Sequence, residues 1–234
     1  MNLLAIIQSA AAALNLPSPG AVVGSTDATA VQLLELANTE GRDLARRYPW
    51  TALINEATFT TLAAESQGTV ESIAPGYRYI LGDTIWNRTS GLPVYGPVPA
   101  PEWQAYAASA VTGPIPSYRI RGGTLRFSPV PAAGESCAFE YVSRYWCTDS
   151  TGATSRAAFA SDQDLCLVDD ELVLLGVQWR WRKAKGFEYS EEFMIYERQV
   201  ADSMARDGTK ATLNLGGKIA TPYDPRYGIN RVIG

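Results

Sequence analysis

Few residues of this 234-residue chain have types and spacings that could carry out catalysis, and it contains no histidine. Histidine is the commonest general base and a frequent zinc ligand, so a histidine-dependent triad or zinc site is excluded. Neither Gly122-Gly123 nor Gly216-Gly217 is followed by the lysine and then serine or threonine that complete a phosphate-binding loop. A carboxylate-pair glycosidase remains open, because both of its catalytic groups are carboxylates. Its candidates are Glu102, Glu135 and Glu140, and no spacing selects a pair among them.

Carboxylates are dense between residues 162 and 171, which invites a metal-site hypothesis. They are Asp162, Asp164, Asp169, Asp170 and Glu171. A calcium loop that began at Asp162 would need glycine at its sixth position, where Leu167 stands. The last three acids precede an apolar helical pattern, where they suit an N-terminal cap and the positive end of the helix dipole. We therefore predict a helix cap here, and no metal or cofactor.

The three cysteines are an odd number without metal-ligand spacing, which indicates a reduced, cytosolic place of synthesis. Cys137 and Cys147 lie ten positions apart along one apparent strand. At about 3.3 Å per residue they would be roughly 33 Å apart, so we expect no disulfide between them.

Two clusters of cations mark predicted helix ends. One comprises Arg42, Arg46 and Arg47, and the other Arg180, Arg182, Lys183 and Lys185. The simplest interpretation is compensation of the helix dipole. The alternatives are contact with an acidic neighbouring subunit and, for the second cluster, contact with DNA through cations near tryptophans. The net charge of −4 and the pI of about 5.0 argue against a protein whose whole surface binds nucleic acid.

Aromatic residues are frequent between residues 77 and 146. A core and its rim explain most of them, and tyrosine and tryptophan are also favoured at subunit interfaces. Stacking on a sugar is the third interpretation.

Amphipathic patterns predict four helices. Leu3, Ile6 and Ile7 mark the first, and Pro17 ends it. The second opens at the capping residues Ser25-Thr26-Asp27 and closes near Tyr48-Pro49. Two more cover about residues 171–185 and the stretch from Ser190, as an αα-hairpin. The apolar run near the N-terminus lacks a basic start, so we expect neither a signal peptide nor a membrane span.

Short stretches of period two predict strands between the helix pairs. They are Thr58–Leu62, Thr69–Ile73, Thr84–Asn87, Tyr118–Arg121, Thr124–Phe127 and Ala138–Tyr145. Gly122-Gly123 suits a two-residue hairpin turn, and Pro101–Tyr106 suits a short helix. We predict an α+β fold, in which a helical bundle carries an inserted small antiparallel β domain. The expected boundaries are 1–49 and 151–210 for the helical parts and 50–150 for the β domain.

Residues 211–234 contain few large apolar residues, a Gly-Gly pair and two prolines, so they cannot form a core. A disordered tail is one interpretation. We favour an extended arm that orders on a partner, because Tyr223, Tyr227, Ile229 and Val232 are anchors that a purely solvated tail would not need. The predicted contact residues are Tyr223, Asp224, Arg226, Tyr227, Ile229 and Arg231.

Four segments together resemble the head-to-tail adaptor proteins of tailed bacteriophages, over roughly residues 1–210. They are LARRYPW (Leu44–Trp50), the aromatic block GYRYILGDTIWNRTSGLPVYGPVPAPEWQAYAAS with SYRIRGGTLRF, FSPVPAAGESCAFEYVSRYW (Phe127–Trp146) and DDELVLLGVQWRWRKAKGFEYSEEF (Asp169–Phe193).

The resemblance implies a structural virion protein that docks as a ring, usually of twelve copies, on the portal protein. It also implies contacts with neighbouring copies and a downstream tail or nozzle protein. Double-stranded DNA would pass through the channel without sequence recognition, during packaging and ejection, in a virion assembled in the host cytoplasm. The two cation clusters then become candidates for subunit or channel contacts, and the arm for portal or neighbour contact. The alternatives are a tail-associated glycan-binding module and the carboxylate-pair glycosidase.

Overall fold

A computed structural model describes residues 1–108 and 115–208 of the chain. This part contains six α-helices: α1 Leu3–Ala13, α2 Ala28–Arg47, α3 Val70–Ile73, α4 Ala100–Ala108, α5 Asp170–Lys185 and α6 Ser190–Asp207. A 3-10 turn, Thr51–Leu53, follows α2.

The described residues also form eleven short strands: β1 Ile54–Thr60, β2 Ser66–Thr69, β3 Tyr77–Ile80, β4 Trp86–Asn87, β5 Leu92–Pro93, β6 Ser117–Arg121, β7 Thr124–Ser128, β8 Ser136–Ser143, β9 Cys147–Thr148, β10 Ser155–Arg156 and β11 Leu165–Cys166. They build a sheet of order β1-β8-β4-β5 with β3 also on β8, and two three-stranded sheets, β2-β7-β6 and β10-β9-β11. Every pair of these strands is antiparallel. The predicted α+β class with antiparallel sheets is thus confirmed.

Helix ends follow the capping chemistry of the sequence. The side chain of Asp27 accepts a hydrogen bond from the Ala30 amide at the start of α2, and Asp169 accepts one from Glu171 at the start of α5. Gly186 ends α5 at a φ of 75°, in the left-handed region that glycine adopts at little cost. The predicted caps of α2 and α5 are therefore confirmed.

The long helices α1, α2, α5 and α6 surround the first of two hydrophobic cores. The fully buried residues include Leu3, Ile6, Ile7, Leu33, Leu44, Val173, Val177 and Tyr196. Trp146, from the end of the β-rich section, is also buried there, and a Cβ placed on Gly41 of α2 would lie 2.4 Å from its ring. Glycine at position 41 thus lets the helix backbone approach the indole closely.

The second core lies between the β1-β8-β4-β5 sheet and the β2-β7-β6 sheet. Phe139 and Cys137 enter it from β8, and Leu125 and Phe127 enter it from β7. The rings of Phe59 and Phe127 meet edge to face across the core, with centroids 6.0 Å apart. Because side chains alternate along a strand, the residues between these core positions point to the outer face of each sheet.

One predicted strand is wrong in part. Only Thr69 of the stretch Thr69–Ile73 belongs to a strand, and Val70–Ile73 is the helical turn α3. The Thr69 side chain accepts a hydrogen bond from the Ser72 amide and so caps the start of α3. This cap lets a helical turn form although the residues favour a strand. The first predicted strand begins earlier, at Ile54, and β3, β5, β9, β10 and β11 were not predicted because each has only two to four residues.

The placement of two cysteines on one strand is also wrong. Strand β8 ends at Ser143, and Cys147 begins β9, where it stands opposite Cys166 of β11. Cys137 lies in the second core and Cys147 in the first. All three cysteines are free, as expected.

The two cores follow the helical and β-rich parts of the sequence, but β8 contributes to both, since Val142 lies in the first. The predicted domain boundaries stay a prediction. The predicted arm, 211–234, lies outside the described residues. None of the helices in the described ranges is long and apolar enough to cross a membrane.

Candidate functional site

A buried cluster of charges joins three of the long helices. The Arg180 Nε of α5 donates to Glu40 Oε2 of α2 at 2.6 Å, and Arg180 Nη2 donates to Asp43. The Glu40 side chain is 0% exposed and that of Arg180 is 15% exposed. The phenol of Tyr196, from α6, donates to the other oxygen of Glu40. Every strong polar group of the cluster therefore has a partner within the chain.

Close packing shields the Glu40 carboxylate from solvent. A Cβ at Gly176 of α5 would lie 2.2 Å from the Glu40 carboxyl carbon, so only glycine leaves room for that side chain. Arg47 closes the edge, with its guanidinium 5.5 Å from the Tyr196 ring centroid and 2.7 Å from Glu197. The cluster thus fixes the relative positions of α2, α5 and α6.

The pKa values reflect this burial. Desolvation raises the pKa of Glu40, although the hydrogen bonds from Tyr196 and Arg180 and the charge of Arg180 act against the rise. Burial acts to lower the pKa of Arg180, but its hydrogen bond with Glu40 and the charges of Glu40 and Asp43 outweigh burial and raise it. The arrangement is that of a structural ion pair, because the partners satisfy one another.

The seven predicted contact cations fall into two groups. Arg180 lies in the buried cluster and Arg47 at its exposed edge, and both charges are used within the chain. The other five lie at the surface. Arg42 pairs with Glu35 at 2.8 Å, and Arg182 pairs with Glu192 at 3.0 Å. Lys183 lies over the Trp179 ring and Lys185 over the Trp181 ring, and Arg46 is exposed. Their role toward a neighbouring subunit or the channel stays a prediction.

Two of the predicted acid candidates, Glu135 and Glu140, are separated along their strand. Glu102 on α4 accepts a hydrogen bond from the Tyr106 hydroxyl, and Glu135 accepts one from Asn87 at 2.8 Å. Glu135 and Glu140 are five positions apart beside and on β8, which corresponds to about 17 Å along a strand. Glycosidase carboxyl groups lie only about 5–9.5 Å apart.

The aspartates of the 162–171 stretch bind backbone groups. Asp164 is 1% exposed and accepts hydrogen bonds from the amides of Ala160 and Ser161 as well as from Arg156. Asp162 accepts hydrogen bonds from the amides of Val22 and Val23. Within residues 1–108 and 115–208, no group of three or more His, Cys, Asp or Glu side chains could hold a metal ion.

A second charged region was not predicted as a site. The outer face of the β1-β8-β4-β5 sheet carries a groove of about 480 Å³, which we name the acidic groove; its charged lining residues are Glu56, Asp83, Arg88 and Glu140, and Trp86 also lines it. Glu56 and Glu140 stand directly opposite each other on β1 and β8, and Arg88 pairs with Glu56 at 2.9 Å. Trp86 is 39% exposed. Alternation along β1 could have placed Glu56 on an outer face, but its pairing with Glu140 depends on strand register.

The predicted arm contacts Tyr223, Asp224, Arg226, Tyr227, Ile229 and Arg231 all lie outside the described residues. Their role therefore stays a prediction.

The sequence model of the family described as SU10 adaptor protein matches residues 1–220. The chain belongs to this family. The match spans both cores and begins with the first residue of the sequence, so it covers every described element. Membership confirms the resemblance to phage head-to-tail adaptors and makes the chain a structural adaptor protein of the virion. A search of curated proteins finds no match.

Proposed function

We propose that this chain is the head-to-tail adaptor that docks as a ring on the portal, extends the DNA channel and provides the attachment platform for tail components. The observation that carries the proposal is the family match over residues 1–220. A protein with this role transmits and withstands force, so it needs rigid contacts and no catalytic group.

The buried charge cluster supports a mechanical role. A buried salt bridge is weak evidence for stability, but its directional hydrogen bonds can hold its partners in one geometry. Here the geometry ties α2 to α5 and α6, through Glu40, Arg180 and Tyr196. Three helices held in this way would give each copy in a ring of twelve a rigid helical core.

The charge balance suits a channel component. A chain of net charge −4 has no overall attraction for the DNA phosphates. Double-stranded DNA can then slide through during packaging and ejection without being held or read. The surface cations Arg46, Lys183 and Lys185 would act locally, at subunit contacts or on the channel wall.

The C-terminal arm is the proposed attachment to the portal or to a neighbouring copy. Residues 211–234 carry Lys218, Arg226 and Arg231 against a single acidic residue, Asp224, on an otherwise acidic protein. Fully extended, 24 residues span roughly 80 Å, which is far enough to pass a neighbour. Tyr223 and Tyr227 would anchor the arm, since tyrosine buries apolar area while keeping a polar tip.

The proposal is tested by measuring the mass of the full-length chain, alone and mixed with its cognate portal, by light scattering and native mass spectrometry. A chain that ends at Lys210 is measured in parallel, and a full-length Tyr223→Ser/Tyr227→Ser variant separates the anchors from arm length. We expect a portal-bound ring that both altered chains lose or weaken. A full-length chain that stays monomeric and ignores the portal would contradict the proposal.

A further inference from the structure

The two large sheets carry opposite charge on their outer faces. The acidic groove has three carboxylates and one guanidinium, so its net charge is negative. Arg88 is paired with Glu56, whereas Glu140 has no ion-pair partner among the described residues. Glu140 also stands opposite Glu56, and like charges in this position repel. Arg88 is the groove's one cation among the described lining residues, so the negative charges of Glu140 and Asp83 are left without an ion-pair partner there.

The outer face of the β2-β7-β6 sheet has the reverse composition. Arg119 and Arg121 of β6 alternate with core residues, and Arg119 stands directly opposite Arg126 of β7. Arg126 pairs with Glu65 at 2.8 Å, and its Nε is buried without a hydrogen-bond partner in the described part of the chain. Arg119 and Arg121 form no ion pair within the described ranges. We name Glu65, Arg119, Arg121 and Arg126 the basic face.

These two surfaces lie on opposite sides of the same core. Tyr118 and Phe127 point inward from one sheet, and Phe139 and Tyr141 point inward from the other, so the charged residues between them point outward in opposite directions. A chain with complementary faces on opposite sides can meet a second copy head to tail, and such contacts form a ring when the rotation from copy to copy closes.

We propose that the acidic groove of one copy receives the basic face of the next copy. Within this contact Arg119 and Arg121 would approach Glu140 and Asp83, which relieves the like-charge repulsion on both sheets. Trp86, at 39% exposure, would supply the apolar anchor, since tryptophan and arginine are favoured at the centres of interfaces. The proposal rests on the proposed function, because it assigns the surfaces that join copies in the adaptor ring.

The test uses two charge-reversed forms of the full chain. One is Glu56→Lys/Glu140→Lys, in the groove, and the other is Arg119→Glu/Arg121→Glu, on the basic face. Each form alone should lose the ring, or raise the dissociation constant of self-association at least about tenfold, because like charges then face each other. An equimolar mixture should recover the ring, since the reversed groove of one form fits the reversed face of the other. A chain with all four substitutions should also assemble.

Matched controls use helix α6, which both surfaces exclude. Arg198→Glu/Arg206→Glu and Glu191→Lys/Asp202→Lys make the same changes in net charge at exposed positions, and assembly should be unchanged. Circular dichroism and unfolding midpoints of every variant show whether the monomer is folded. If the reversed forms do not fold, Arg121→Gln and Glu140→Gln, which remove charge without reversing it, should still raise the dissociation constant.

The outcomes separate the two proposals. A wild-type ring that both reversed forms keep would overturn this interface and leave the adaptor proposal intact. Reversed forms that lose the ring but do not recover it on mixing would also overturn it, because the groove would then contact something other than the basic face, such as the portal. A wild-type chain that never assembles, with or without a portal, would overturn both proposals.

Discussion

The carboxylate of Glu40 is held inside the helical core by one guanidinium and one phenol. Removing both charges together from such a site is often harmless, whereas removing one leaves the other buried and unpaired. The penalty should therefore appear when Arg180 alone is replaced. Its size depends on pH, because protonation of Glu40 removes the unpaired charge.

We predict that Arg180→Met lowers the free energy of unfolding by about 3–5 kcal/mol at neutral pH. Loss of Arg180 removes a hydrogen bond and a charge that oppose the raised pKa of Glu40, so that pKa rises further. The folded state then binds the proton on Glu40 more tightly than the unfolded state does. The free energy of unfolding therefore falls as the pH rises from the ordinary carboxyl pKa of the unfolded chain through the raised pKa of the folded variant. The deficit against wild type should shrink as the pH falls toward the ordinary carboxyl pKa. Urea unfolding followed by tryptophan fluorescence at about pH 5 and pH 7 measures both values.

Arg182→Met is the matched control. It makes the same substitution two positions along α5, in an ion pair whose side chains are 38% and 30% exposed. We expect a change of at most about 1 kcal/mol with little dependence on pH. Equal losses of unfolding free energy in Arg180→Met and Arg182→Met would show that burial of the ion pair does not increase the cost of removing its cation.

At the scale of elements, the β6-β7 hairpin depends on its two-residue turn. Gly122 and Gly123 have φ angles of 57° and 72°, so both lie in the left-handed region, as the Gly-Gly pair predicted. A Cβ added at either position would meet nothing within 4 Å. The requirement for glycine is therefore one of backbone conformation alone. Since the hairpin carries the basic face, its stability bears on assembly.

Replacement of Gly122 should depend on the tolerance of the new residue for positive φ. Gly122→Asn should cost little, because asparagine visits this region readily. Gly122→Val should cost about 1–2 kcal/mol more, which corresponds to a melting temperature lower by roughly 2–8 °C for a chain of this size. Thermal unfolding followed by circular dichroism measures the difference. Equal midpoints for the two variants would mean that the turn adopts another conformation.

At the scale of the whole molecule, strand β8 connects the two cores. Phe139 and Tyr141 pack between the sheets, and Val142 packs with the helices. The guanidinium of Arg78, in β3, also donates to the backbone carbonyl of Arg46 at the end of α2, at 3.1 Å. Loss of one core would leave β8 without half of its partners, so we expect the cores to unfold together.

Thiol labelling in a urea series tests this cooperativity. Burial raises the pKa of Cys137 to about 11 and that of Cys147 to about 12, so neither thiol should react quickly in the folded protein at pH 8. Two single-thiol chains report on one core each: Cys147→Ser/Cys166→Ser keeps Cys137, and Cys137→Ser/Cys166→Ser keeps Cys147. For each single-thiol chain, the urea midpoint of labelling is compared with the midpoint of global unfolding of the same chain. We expect the two midpoints to coincide in both chains. Labelling of one thiol well before global unfolding would indicate domains that unfold independently.

The sequence by itself determined the features that depend on neighbouring residues. The helix caps within residues 25–27 and 169–171 and the turn at Gly122-Gly123 were predicted, because their chemistry acts within a few positions. The family was also identifiable from the sequence, because four segments resemble those of the adaptor family in their order and spacing. The turn α3 was missed because β-favouring residues there are overridden by one side-chain cap.

Only the tertiary structure decided which distant residues meet. The sequence grouped Arg180 with Lys183 and Lys185 because all three lie near the end of one helix. In the structure Arg180 faces inward and binds Glu40, which is 140 positions away in sequence. The register of β1 against β8 set Glu56 opposite Glu140, and a shift of one residue would have turned one of them into the core. Such contacts follow from how the whole chain packs, because burial and register minimise the free energy of all elements together and no local pattern encodes them.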